Sequence, residues 1–543
     1  MNRRKFIQHS SLTAIALPVF SITACNTSSS TDKKASTDTS NAGKDEFELA
    51  EVSIDELQQS MERGERTAES ITQLYLDRIQ AIDQEGPQLN AIIEVNPDAL
   101  SIARELDRER ADGKVRGPLH GIPIVLKDNI DTADKMQTTA GALAMEGNIA
   151  PEDASIVAQL RAAGALIIGK ANLSEWANFR STRSSSGWSS RGGQTKNPYV
   201  LSRNPCGSSS GSGVAVSANL CVLAIGTETN GSIVCPSSTN GIVGIKPTIG
   251  LLSRSGIIPI AHSQDTAGPM ARTVKDATIM LGTMTQVDEK DEAMQQSERK
   301  AHQDYTPYLK TDGLQNKRIG IWRGAMGFHE GVDALMEAAF EQMKRQGATL
   351  LDIEKIRPEE SMGSAGFDVL LYEFKADLNK YLQQHPDAPL KSLEEIIAYN
   401  KENDSTAMPF FKQEILEMAQ EKEGLDSKAY QEALDKVKRL NGAEGIDRIM
   451  AEHKLDAILA PTGGPAWPTD VVTGDHFLGG SSSPAAQAGY PNITVPVGFL
   501  HGLPVGISIF GKAWSEPQLI SIAYAYEQIS QHRQAPRFLS DIS

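Results

Sequence analysis

Short apolar runs recur along this chain, at residues 122–126, 165–168, 221–225, 319–321, 457–460 and 505–510. Runs of this length suit buried strands and are too short for buried helices. Between them lie stretches with the three-and-four spacing of amphipathic helices, such as Ile54-Leu57-Met61 and Ile71-Leu74-Tyr75-Ile79-Ile82. Residues 214–220 read as a buried helix, and 395–450 are charged with a helical pattern. This alternation predicts an α/β fold with a largely covered sheet. The chain has 543 residues, of which 40% are hydrophobic and 45 are Gly, which excludes collagen, a coiled coil and a wholly disordered chain. A net charge of −16 argues against nucleic-acid binding, which needs clustered Lys and Arg.

The N-terminus reads as an address. Basic Arg3-Arg4-Lys5 precedes an apolar stretch at 12–24 that is too short to span a bilayer comfortably, so residues 1–24 are expected to be a signal peptide. The stretch ends Ile22-Thr23-Ala24-Cys25, which resembles a bacterial lipobox, and Cys25 is the expected lipidation site. The paired arginines resemble a twin-arginine export signal, with an ordinary secretory signal as the alternative. Residues 25–46 continue as a Ser/Thr-rich segment without aromatics, expected to be a flexible tether. The expected location is therefore outside the bacterial cytoplasm, on a membrane facing the periplasm or exterior. From residue 47 to 543 no second low-complexity linker interrupts the chain, and this span is expected to be one domain.

Four cysteines cannot form a disulfide scaffold, and none makes a C-x-x-C pair. Cys206, Cys221 and Cys235 read as small buried residues or loop thiols. There is no H-E-x-x-H, and no metal or cofactor is expected. Gly164-x4-Gly169-Lys170 nearly matches a phosphate loop, but Ala171 supplies no hydroxyl for a metal ion and the spacer is strand-like. Gly207-Ser208-Ser209-Ser210-Gly211 matches G-x-S-x-G, which would make Ser209 a nucleophile, yet a loop rather than a hydrophobic strand precedes it.

Three segments carry more. Residues 117–129 place Lys127 at the end of a run of buried aliphatics, where burial disfavours an ammonium. Residues 207–213 are a Gly/Ser string leading into an apolar helix. Residues 226–233 form a turn after an expected strand, presenting backbone N–H groups beside Ser232. Together with Gly244-Ile245-Lys246-Pro247-Thr248, residues 263–270 and Gly489-Tyr490-Pro491, they resemble the amidase signature family of serine hydrolases over roughly 47–535. Within the family the resemblance is closest to bacterial peptide amidases, through residues 172–180, 186–194, 371–375 and 513–517.

The resemblance implies a single large domain with a central mixed β-sheet covered by helices on both sides. It gives Lys127 the role of terminal base, Ser208 that of bridging serine, preceded in the family by a cis peptide, and Ser232 that of nucleophile. The backbone N–H groups of Thr229, Asn230, Gly231 and Ser232 are the implied oxyanion hole. Trp176, Asn178 and Trp188 are candidate substrate contacts, and Asp265 is either a turn cap or a site residue. Many relatives carry Gly at position 230 and Arg at position 234, where this chain has Asn230 and Val234. The implied activity is hydrolysis of carboxamides through an acyl-enzyme, with peptide C-terminal amides as the preferred substrates and neither metal nor histidine in the mechanism. Alternatives are another small, cyclic or fatty amide, a transamidosome-type amidotransferase, which the export signal disfavours, and a non-catalytic binding lipoprotein. Whether the protein is a monomer or homodimer is left open.

Overall fold

The computed structural model describes residues 47–295 and 299–542. They belong to one compact unit, Asp45–Ser543. The signal peptide expected at 1–24, and Cys25 with its tether to 46, lie outside the described residues.

The strands are β1 Ile92–Val95, β2 Pro123–Lys127, β3 Leu166–Ala171, β4 Trp188–Ser189, β5 Gly193–Gln194, β6 Leu223–Glu228, β7 Val243–Lys246, β8 Thr266–Ala271, β9 Arg318–Trp322, β10 Thr349–Ile353, β11 Ala457–Pro461, β12 Asn492–Leu500 and β13 Leu503–Phe510. β4 and β5 form a small ribbon; the rest form one eleven-stranded sheet ordered β1-β3-β2-β6-β8-β7-β12-β13-β11-β9-β10. β3, β2 and β6 run parallel, as do β11, β9 and β10. The other neighbours are antiparallel, so the sheet is mixed, as expected. β2, β3 and β6 are buried at every residue, which is why their sequences are continuous aliphatic runs rather than alternating ones. Helix Ser210–Ser217 packs across these strands, while Val234–Thr239 and Glu516–Ser530 pack on β12 and β13.

The aliphatic runs all contribute to strands, but β8 escapes a reading from periodicity. Its sequence, Thr266-Ala267-Gly268-Pro269-Met270-Ala271, carries two residues that normally break a central strand. Here Pro269 pairs with Ile225 and Gly268 with Gly226. A Cβ on Gly268 would lie 2.1 Å from the Ile245 carbonyl oxygen, so the close approach of β7 requires glycine.

This topology positions the site. β2 and β6 are parallel neighbours, with Leu126 opposite Ile225, so Lys127 and the turn after Glu228 emerge at the same edge. Ligands of parallel sheets commonly sit at that C-terminal edge. Helix Ser210–Ser217 starts hard against the sheet. A Cβ on Gly211 would meet the carbonyl oxygens of Ala91 and Asn172 at 2.3 and 2.4 Å. The Gly211 N–H donates to Asn172 O at 2.9 Å. Any side chain there would displace the helix start, and with it Ser208.

Candidate active site

Lys127 is fully buried at the end of β2. Its Nζ donates to Ser208 Oγ at 2.7 Å, to Thr227 Oγ1 at 2.8 Å and to Thr227 O at 3.2 Å. Burial pushes its pKa down to about 7, while the negative charges of Asp265 and Glu228 oppose that shift. The amine thus sits where its neutral form is accessible near neutral pH. A neutral amine keeps two N–H donors for the Thr227 oxygens and turns its lone pair to Ser208.

Ser208 is fully buried and follows a cis peptide bond from Gly207. Its carbonyl accepts the Ser174 N–H at 3.1 Å, and Ser210 Oγ donates to Cys206 O at 2.7 Å. Ser209 is equally buried but turns into the sheet. Its hydroxyl donates to Thr227 O at 3.0 Å and accepts the Thr227 N–H at 3.2 Å. The G-x-S-x-G match therefore leaves Ser209 holding β6, not facing a substrate.

The turn Thr229-Asn230-Gly231-Ser232 follows β6 directly. Glu228, which sequence reasoning passed over, lies folded beneath it. Its carboxylate accepts the N–H groups of Gly231 at 2.8 Å, Ile233 at 2.8 Å and Val234 at 3.1 Å. This corrects the expected oxyanion set, because the Gly231 amide is spent on Glu228. Among the described residues, the amides of Thr229, Asn230 and Ser232 donate to no other group. Gly231 has φ +84°, and a Cβ there would come 3.0 Å from Ser482 Oγ, so both the turn and its neighbour call for glycine. Asn230 is braced by Ser482 Oγ, which donates to its Oδ1 at 2.7 Å. The Ser209 N–H donates to Ser232 O at 3.2 Å, which couples the two serine segments. Among the described residues no hydrogen bond joins the two serine hydroxyls. Contacts of this kind commonly tighten only with substrate in place. Exposure rises from none at Lys127 and Ser208 to 9% at Ser232, the outermost of the three.

Asp265, read from the sequence as either a turn cap or a site residue, caps the turn before β8 and also holds Thr229. It accepts the N–H groups of Ile260 and Ala261 at 2.7 and 2.8 Å and the Thr229 hydroxyl at 2.5 Å. Burial raises its pKa to about 6.

A cavity of about 370 Å³ opens at the turn after β6, lined by Gly207, Asn230, Gly231 and Val234 and, from the loop after β11, by Trp467, Asp475 and Phe477. It touches the chain on both sides of the two serines, at Gly207 and at Asn230, Gly231 and Val234, whereas a larger cavity of about 720 Å³ reaches Asp265 and none of these residues. Of the three candidate substrate contacts, only Asn178 lines the smaller cavity. It ends a run of left-handed residues, Trp176, Ala177 and Asn178, with φ of 51, 53 and 70°. Such a run persists only where its surroundings hold it. Here the Trp176 N–H donates to Ala140 O at 3.0 Å, and Phe179 packs against Phe374 with ring centroids 5.0 Å apart. Asn178 Nδ2 donates to Ser186 Oγ at 3.0 Å, and its Oδ1 is buried without a partner. Trp176 and Trp188 are corrected to packing residues. Trp176 lies in a second hydrophobic core. Trp188 meets Phe411 edge-to-face at 5.0 Å, with the Arg180 guanidinium 5.1 Å from its ring. That guanidinium is paired with buried Glu175 at 2.7 Å.

The cysteine reading needs the largest correction. Cys206 and Cys235 form a disulfide, while Cys221 is a buried thiol. Both bridged residues line the cavity, one ahead of Gly207-Ser208 and the other just past Ser232. His262, Glu373 and Asp377 are the grouping with metal-ligand chemistry among the described residues. They are already engaged with one another and with Tyr430, through His262 Nδ1 and Asp377 at 2.8 Å and the Tyr430 hydroxyl donating to Glu373 at 2.7 Å.

The family model described as Amidase matches residues 70–520. A probable amidase of Arabidopsis thaliana is 41% identical over 503 residues, covering 91% of this chain and 93% of that protein. A glutamyl-tRNA(Gln) amidotransferase subunit of Symbiobacterium thermophilum is 34% identical over 493 residues, covering 88% of this chain and 96% of that protein. Among solved structures, the native peptide amidase from Stenotrophomonas maltophilia is 51% identical with a TM-score of 0.87, covering 91% of this chain and 99% of that one. An amidase family protein from Bacillus anthracis is 37% identical with a TM-score of 0.81, covering 90% and 93%.

Proposed function

Because the chain belongs to the amidase family, we propose that it hydrolyses the C-terminal carboxamide of peptides, through Ser232, Ser208 and Lys127. Neutral Lys127 accepts the proton of Ser208 as Ser208 takes that of Ser232. Ser232 Oγ bonds to the amide carbonyl carbon, and the amides of Thr229, Asn230 and Ser232 hold the oxyanion. The C–N bond then breaks, Ser208 returns the proton to the departing ammonia, and water releases the acid. The observation that carries this reading is the buried Lys127 amine, 2.7 Å from Ser208 Oγ with its pKa brought down to about 7.

The cavity favours a peptide amide over free glutamine. Its lining contains no Lys, Arg or His to pair with an α-carboxylate, since Val234 stands where an arginine is common in relatives. Asn178 also lines it; its Oδ1 is buried without a partner, and a turn of the carboxamide toward the cavity would let it accept an amide N–H. The 51% identity to a peptide amidase supports the same substrate class. Ammonia release from a panel of blocked peptide amides, a fatty amide, a cyclic amide and glutamine tests the proposal. The peptide amides are expected to show the highest kcat/KM. A higher value for any other member of the panel refutes this substrate class.

We further propose that the protein is exported and lipidated at Cys25. The Cys206–Cys235 disulfide supports export, because disulfides persist in oxidising compartments. In this reading the lipid on Cys25 attaches the protein to the membrane. Cys25→Ala is expected to move the protein out of the lipid-modified membrane fraction. Unchanged acyl labelling in that variant rules out Cys25 as the site.

A further inference from the structure

The cavity at the nucleophile turn has a single charged side chain, Asp475, on the loop between β11 and helix Ser483–Ala488. Every hydrogen bond to its carboxylate comes from a neutral donor. The Ser186 N–H reaches both oxygens at 3.1 Å, and the Ser186 hydroxyl donates to Oδ2 at 2.5 Å. The Trp467 indole N–H and the Asn204 side-chain amide donate to Oδ1 at 3.1 and 3.3 Å. Burial raises the carboxyl pKa, and these donors work against that rise and hold the carboxylate rigidly without neutralising it. His476, next in the chain, is engaged with Asp470 at 3.2 Å.

This carboxylate is tied through one side chain to the segment that carries Ser208. Asn204 uses its Oδ1 to accept the Cys206 N–H at 2.8 Å, two residues ahead of Ser208. Its Nδ2 reaches Asp475. One side-chain amide therefore spans the charge and the Ser208 segment. Beside it, Trp467 and Phe477 meet edge-to-face at 5.6 Å. Phe477 and Leu478 remain half exposed at the rim. The wall is thus a fixed negative charge set in an apolar flank, with no cation opposite. A long cationic side chain suits such a wall, since its methylenes cover apolar surface while its head reaches the carboxylate.

We propose that Asp475 determines charge specificity: it favours peptide amides whose C-terminal residue is Lys or Arg and disfavours those ending in Asp or Glu. The proposal rests on the peptide-amide reading and names the preference within it. Asp475 touches the acyl side of the substrate and takes no part in bond making. An interaction of unit charges across a few ångströms at the edge of a protein is worth about tenfold or more in affinity.

The test compares acetyl-lysinamide, acetyl-leucinamide and the α-amide of acetyl-glutamate with the wild-type protein and Asp475→Asn. In the wild type, kcat/KM is expected to fall in that order, by about tenfold at each step at low salt. The differences should lie in KM rather than kcat. In Asp475→Asn the three values should converge to within about threefold, a change that a merely structural role would not sort by substrate charge. Raising the ionic strength of the wild type to about 0.5 M should compress the same series without any mutation, so the test survives a variant that folds poorly. Calorimetric binding of the three amides to Ser232→Ala gives the ranking independently of turnover. A wild-type series with no charge ranking, or one that persists in Asp475→Asn, overturns the role of Asp475. Failure to turn over any of the three refutes the peptide-amide reading, while binding to Ser232→Ala still decides the charge preference.

Discussion

Ser232→Ala is expected to lower kcat by about a millionfold, the scale seen when the nucleophile of a serine hydrolase is removed. The fold should hardly notice. The Ser232 side chain is nearly buried, and among the described residues its hydroxyl makes no hydrogen bond that the truncation would orphan. Stability should therefore change by about 0.5 kcal/mol or less. A fluorophosphonate should label the wild type at Ser232 and fail to label the variant. An adduct on Ser209 would overturn the assignment, but that hydroxyl is fully buried and bonded twice to the backbone of Thr227.

Lys127→Arg is expected to cost about 10²–10⁴ in kcat, the range of a lost general base. A guanidinium stays protonated at every usable pH and cannot accept the Ser208 proton. It must also fit a fully buried site built for an unbranched amine. The wild-type pH profile tests the same residue without mutation. Only neutral Lys127 can act as a base, so activity is lost as pH falls through its folded pKa. Burial brings that value from 10.5 to about 7, with Asp265 and Glu228 pulling the other way. kcat/KM should be level above about pH 7 and fall roughly tenfold per unit below it. A limb that stays near pH 10, or a Lys127→Arg enzyme with near-normal kcat, would show that another group supplies the base.

How much of this was legible beforehand differs from element to element. β2, β3 and β6 could be read because strands buried on both faces must be continuously aliphatic. Lys127 stood out because a lysine ending such a run is costly unless it is used. β8 could not be read, since Gly268 and Pro269 normally argue for a turn and only the proximity of β7 explains them. Glu228 left a faint signal, an acid closing a buried strand immediately before the nucleophile turn. The loop after β11 left none. Trp467, Asp475 and Phe477 lie on an irregular loop where neither period two nor period 3.6 applies, and tertiary packing alone brings them into one cavity with Asn230. Trp176, Asn178 and Trp188 are equal candidates in the sequence, and only packing separates them, since both rings are buried among other side chains while Asn178 lines the cavity. The resemblance supplied four oxyanion amides, and only the path of the Glu228 carboxylate shows that Gly231 is committed elsewhere.

The Cys206–Cys235 bridge bears on how the protein is made and probed. The two sulfurs are joined across a sequence separation of 29 residues that includes both Ser208 and Ser232. A preparation expressed in a reducing cytoplasm is thus a different covalent species from an oxidised one, with two thiols on the cavity wall. Electrophilic probes and covalent inhibitors aimed at a serine would then meet competing sulfur nucleophiles within the same enclosure. Labelling stoichiometry, inhibitor selectivity and even the count of active sites belong to whichever form was isolated, so oxidation state is part of the description of the enzyme.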